Sequence, residues 1–78
     1  ELGQMNVAYY PNPVNNQLTV KAPMDGVLAI YNSAGKRVLG ERFSQESNVD
    51  VSALPNGLYL LSLEGSTGQF FTRISVQH

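Results

Sequence analysis

Backbone-breaking residues punctuate this 78-residue chain so regularly that no window sustains a helical period of apolar residues. Between the Pro, Gly, Asn and Ser clusters lie short runs rich in Val, Leu, Ile, Tyr and Phe, at 7–10, 17–21, 26–32, 37–43, 47–51, 58–63 and 69–76. Seven such runs at about ten-residue spacing are the pattern of β-strands joined by tight turns. The spacing predicts an all-β sandwich or barrel with no α-helix, taken here as an immunoglobulin-like antiparallel sandwich of about seven strands.

Side chains alternate across a strand, so each run has an inward and an outward face. Leu18 and Val20, Leu28 and Ile30, Val49 and Val51, and Tyr59, Leu61 and Leu63 are expected to meet in one core. In the last run Thr72, Ile74 and Val76 share one face while Phe71, Arg73 and Ser75 share the other, which places Arg73 toward solvent. A buried Arg73 would mean a register slipped by one residue. Tyr31, Leu58 and Leu60 fall on outward positions, either under a neighbouring loop or as part of a contact surface.

The turns carry more detail. Asn32-Ser33-Ala34-Gly35-Lys36 pairs an Asn that bonds its own backbone with a Gly tolerant of positive φ, and so predicts a bulged hairpin turn exposing Lys36 and Arg37. Pro55-Asn56-Gly57 predicts a tight reversal into the Tyr59 strand. Gly65 to Gly68 closes a last hairpin. Pro11 and Pro13 remove two backbone donors around Asn12, so that segment is expected to be extended and outside any central strand.

A chain of this length supports one domain, taken here as residues 1–78. Residues 1–7 read as linker or lead-in to the first strand. The opening Glu1-Leu2-Gly3-Gln4 has no initiator Met, basic region or apolar leader, and reads as cut from a longer polypeptide. His78 reads as native or as tag-derived and receives no role. There is no cysteine, so sheet packing alone holds the fold in any redox compartment. Five Lys/Arg against six Asp/Glu give a net charge of −1, which argues against nucleic acid as a partner. The longest apolar run, Val27 to Tyr31, is far too short for a transmembrane helix.

Catalytic chemistry finds little to work with. His78 is the lone histidine and is terminal, which removes the usual serine and cysteine constellations. Asp25, Glu41, Glu46, Asp50 and Glu64 occupy turns or strand positions where a solvated carboxylate is the ordinary state. A calcium site around Asp25 lacks a dense Asp/Asn/Gly ligand series. Tyr9, Tyr10, Tyr31, Phe43, Tyr59, Phe70 and Phe71 can be imagined as a sugar-stacking platform, but so small a domain needs most of them as core. Lys36 and Arg37 either dock an acidic partner or are simply solvated. No cofactor, no metal and no enzymatic activity are expected.

Read in order, Tyr10-Pro11-Asn12-Pro13, then Ile30-Tyr31-Asn32 with Gly35-Lys36 and Val38, then Leu54-Pro55-Asn56-Gly57-Leu58-Tyr59 resemble the type A C-terminal domain of type IX (Por) secretion substrates. The resemblance spans roughly residues 8–77. Each block alone is common turn chemistry, whereas their order and spacing are specific. On this resemblance Tyr10, Pro11, Asn12, Pro13, Asn32, Gly35, Pro55, Asn56, Gly57 and Tyr59 are shape-determining motif residues.

The resemblance implies a sorting signal carried behind an N-terminal cargo, exported through the periplasm to the surface of a Gram-negative bacterium. Its implied partners are the type IX translocon and a surface sortase-like protease, which typically cleaves before the domain and joins the cargo to an anionic lipopolysaccharide. The final segment matches the part of the family that contributes strongly to recognition. Arg73, Ile74, Ser75, Val76 and Gln77, with Lys36 and Arg37, are therefore the candidate recognition residues. Arg73 stands where Lys is frequent, and Gln77 replaces a charged ending. The rival readings are a carbohydrate-binding or adhesive accessory sandwich and an uncleaved domain of a secretion-machinery component. An exposed edge strand also allows a dimer.

Overall fold

The computed structural model describes residues 7–66 and 68–78. Among them the chain forms five strands and no helix: β1 (Ala8–Tyr10), β2 (Gln17–Tyr31), β3 (Arg37–Asp50), β4 (Gly57–Gly65) and β5 (Gly68–Val76). All strand pairings are antiparallel and belong to one sheet. The expectation for residues 1–7 falls mostly outside the described residues. Val7, its described member, packs against the core.

The expected seven strands become five because two pairs of runs are continuous. Runs 17–21 and 26–32 are the halves of β2, and runs 37–43 and 47–51 are the halves of β3. Pro23 and Gly26 looked like a boundary, yet the two-residue alternation passes straight through them. Ala22 and Met24 are buried in step with Leu18 and Val20, while Pro23 points outward. Pairing with β3 jumps here from Lys21↔Glu46 to Asp25↔Ser44, leaving three residues of β2 opposite Gln45, whose φ is 63°. A proline at such an irregularity withdraws no donor from a regular ladder, and the extra residues bend the strands.

That bend lets β2 serve the whole domain. β3 runs beside it along both halves, while β1 pairs with Thr19–Lys21 and β4 with Gly26–Tyr31 on the opposite edge. β5 continues beyond β4. The sheet then curls back on itself: Val14 makes a parallel bridge to Val76. The Tyr9 hydroxyl lies 3.0 Å from Thr72 Oγ1, and the Tyr9 and Phe70 rings sit 6.3 Å apart. One continuous curled sheet thus replaces the two separate sheets of the expected sandwich.

The curl encloses a single core of Val14, Leu18, Val20, Leu28, Ile30, Phe43, Val49, Val51, Tyr59, Leu61, Leu63, Ile74 and Val76, with Ala22 and Met24. Every inward residue expected from alternation is in it except Thr72, which is half-buried. Arg73 is exposed, so the register of the last strand is as read. Burying a side chain of the Leu or Ile class contributes roughly 1.5–3 kcal/mol, and in so small a domain nearly all of these positions are needed.

Candidate functional site

The two ends of the described chain meet at β5. In an edge strand alternate residues turn both N–H and C=O away from the sheet, and at Ser75 those groups are met by the Pro-rich segment. The Ser75 N–H donates to Asn12 Oδ1 at 3.1 Å, and the Ser75 carbonyl accepts from the Val14 N–H at 2.8 Å. The Gln77 N–H then donates to the Val14 carbonyl at 2.9 Å. Pro11 and Pro13 flank Asn12 with residues that have no N–H to leave unpaired. Both of their peptide bonds are cis.

A second loop holds the chain two residues past the end of that strand. The His78 N–H donates to Asn56 Oδ1 at 3.0 Å, and His78 Nε2 lies 2.7 Å from the Leu54 carbonyl, which can only accept. This loop is stiffened by Tyr59, whose hydroxyl donates to the Pro55 carbonyl at 2.6 Å. The hydrogen-bonded turn lies earlier than expected, with the Leu54 N–H donating to Val51 O at 3.0 Å. Pro55-Asn56-Gly57 is the lead into β4 rather than the reversal itself.

Asn32 completes the set of motif asparagines. Its Oδ1 accepts the N–H groups of Ala34 and Lys36, both at 3.0 Å, while Gly35 takes φ +85° and donates to the Asn32 carbonyl at 2.9 Å. The β2–β3 register shifts between Ile30 and Tyr31, the bulge anticipated from the sequence. Lys36 and Arg37 are exposed, as expected.

Register then brings distant residues into one row. Arg37 lies opposite Tyr31, Tyr31 opposite Leu60, and Leu60 opposite Arg73, across β3, β2, β4 and β5. The Arg37 side chain folds over the same outward face, because a methyl added at Gly40 would meet its guanidinium nitrogen at 3.3 Å. Around this row Leu58 is 63% exposed and Phe71 52%, so no loop covers them. A shallow open groove between the 32–36 turn and β4 is lined by Asn32, Ser33, Leu58, Leu60 and Arg73.

The candidate recognition residues therefore divide. Lys36, Arg37, Arg73 and Gln77 are exposed and Ser75 half-buried, whereas Ile74 and Val76 are core residues turned away from any partner of the folded domain. The motif residues are placed by shape: Asn12, Asn32 and Asn56 each tie down backbone, and Tyr59 is buried. Val14 escaped sequence reading, because a single apolar residue between two prolines and two asparagines shows no periodicity.

The carboxylates stand apart. Asp25 accepts from Ser44, Glu41 from Ser47, and Glu64 from Gln69. Asp50 accepts the Ser52 N–H at 2.9 Å. Bonds from the Ser52 hydroxyl and N–H hold the Asp50 carboxyl below its ordinary range. Among the described residues no three of His, Cys, Asp and Glu gather at one point, and no helix is long and apolar enough to cross a membrane. Of the aromatic residues, Phe43 and Tyr59 are buried and Tyr9, Tyr31 and Phe70 are half-buried, leaving Tyr10 and Phe71 largely exposed.

The profile described as secretion system C-terminal sorting domain matches residues 8–77. That interval runs from the first residue of β1 to the residue after β5 and includes all three motif blocks. No curated protein matches the chain.

Proposed function

The chain belongs to the family of secretion system C-terminal sorting domains, and from that premise we propose that it is read as a folded unit, by its surface, during type IX export. Membership makes it a type IX sorting signal, attached to an N-terminal cargo and bound for the cell surface or beyond. The finer reading is that the translocon docks on the outward side of β4 and β5, and that a surface sortase-like protease then removes the domain. In this reading the chain is the substrate of that machinery and carries out no chemistry of its own.

The observation that carries the proposal is the double grip on β5 and the residues just past it. The motif asparagines Asn12 and Asn56 spend their side chains on the backbone of Ser75 and His78. A strand so held is presented in one conformation, and a partner pays less ordering entropy to bind a surface already in place. The carbohydrate-binding reading draws less support, since only two of the seven aromatic rings, Tyr10 and Phe71, are largely exposed.

The test is to fuse the chain behind an inert exported reporter in a type IX-competent bacterium and to weigh the reporter recovered at the surface. Loss of about the domain's own 8.5 kDa supports delivery with cleavage. Full-length fusion at the surface means an uncleaved domain, and full-length fusion held in the periplasm overturns the proposal.

A further inference from the structure

Although the net charge is −1, charge is unevenly placed. Arg37 and Arg73 lie at the end of the outward face beside the 32–36 turn, which carries the exposed Lys36. On that same face Asp25 and Glu64 lie at the far end, where Val27 stands between Arg42 and Glu64. Neither Arg37 nor Arg73 has an ion-pair partner among the described residues. The two arginines terminate one cross-strand row, and three strand spacings separate their backbones by about 14 Å. Between them lie Tyr31 and Leu60, with exposed Leu58 alongside.

From this arrangement we propose that the Arg37–Tyr31–Leu60–Arg73 row is a docking surface for an extended, acidic and apolar segment of a partner protein. Charge complementarity selects the occupant. Two unpaired guanidiniums, each a fixed fork of donors, favour carboxylates at the ends, and the apolar residues between them favour side chains of the Leu or Phe class. Nucleic acid is disfavoured by the overall charge. A glycan would want more than the one exposed ring that this half of the sheet offers, Phe71. The proposal rests on the sorting reading for its biological setting, while the binding chemistry stands on the geometry alone.

Two measurements test it and fail independently. In the first, the isotopically labelled chain is titrated with a short synthetic peptide alternating Glu and Leu, with a Lys/Leu peptide and anionic phospholipid vesicles as controls. Saturable amide shifts centred on Tyr31, Arg37, Leu60 and Arg73, weakened by salt and reduced about tenfold in affinity by R37E/R73E, are expected. Absence of saturation, equal response to the Lys/Leu peptide, or a response to vesicles alone overturns the proposal. Concentration-dependent shifts of the same amides without peptide also overturn it, in favour of a second copy of the chain. In the second measurement, R37E/R73E is placed in the reporter fusion, and delivery is expected to fall about tenfold while the circular dichroism of the isolated variant stays unchanged. Equal delivery of variant and wild type overturns the face as the sorting contact. Failure of the wild-type fusion counts against the sorting reading instead, and the titration then decides the binding face.

Discussion

Asn12 Oδ1 accepts the backbone N–H of Ser75 at 3.1 Å, which joins the first motif of the chain to the free edge of its last strand. The sheet curls around that joint, and Val14 covers the edge of β5 there. A short, partly covered edge limits unwanted strand pairing and leaves an outward face available for recognition.

Asn12→Ala removes that acceptor and leaves the Ser75 N–H to water. Unfolding free energy is expected to fall by about 0.5–1 kcal/mol. Amide exchange should accelerate at Ser75 and much less at Ile74, which turns toward β4. Unchanged exchange at Ser75 would show that the bond holds nothing in solution.

Tyr59→Phe keeps the buried ring and deletes the donor to the Pro55 carbonyl. The expected cost is about 1 kcal/mol, seen as a lower denaturation midpoint with an unchanged denaturant slope. Tyr59→Ala also empties part of the core and is expected to cost about 3–5 kcal/mol.

Two glycines should behave differently although both look like ordinary turn or strand glycines in the sequence. At Gly26 an added methyl would run into the carbonyl oxygen of Glu64, whereas at Gly35 it would meet open space but require φ +85°. Gly26→Ala is expected to cost about 3 kcal/mol or more through displaced β2–β4 pairing. Gly35→Ala is expected to cost about 1–2 kcal/mol, from the left-handed conformation alone. Denaturation curves of the two variants give the comparison directly.

Asp50 sets a pH dependence. Its folded carboxyl titrates below the ordinary 3.8 because Ser52 donates to it. The group therefore contributes stability that is fully present above the ordinary range and is lost as pH falls through the folded value. Asp50→Asn should flatten the acid limb of the stability profile and leave its neutral limb parallel to wild type. A variant as acid-sensitive as wild type would remove Asp50 from the account.

Much of this was legible in the sequence because period-two burial is a local signal. Leu18 and Val20, Leu61 and Leu63, and Ile74 beside exposed Arg73 all lie where alternation places them. The strand count was not legible, because Pro23 ordinarily ends a strand and nothing in its neighbours reveals that pairing lapses there opposite Gln45. The site was half legible. Lys36, Arg37 and Arg73 were recognisable as outward cations, but their common row depends on how β2, β4 and β5 are paired, which is long-range information. The hold of Asn12 on β5 and of Asn56 on the residue beyond it is of the same kind: turn chemistry marked both asparagines, and only the curl of the sheet supplied their partners.

The most direct test of the account is surface delivery of a reporter fused to the whole chain, compared with the same fusion lacking residues 73–77. The account predicts delivery of the first and periplasmic retention of the second, since the deletion removes Ile74 and Val76 from the core together with the exposed Arg73. Equal delivery of both fusions would contradict the claim that a folded domain closed by its last strand is what the secretion machinery reads.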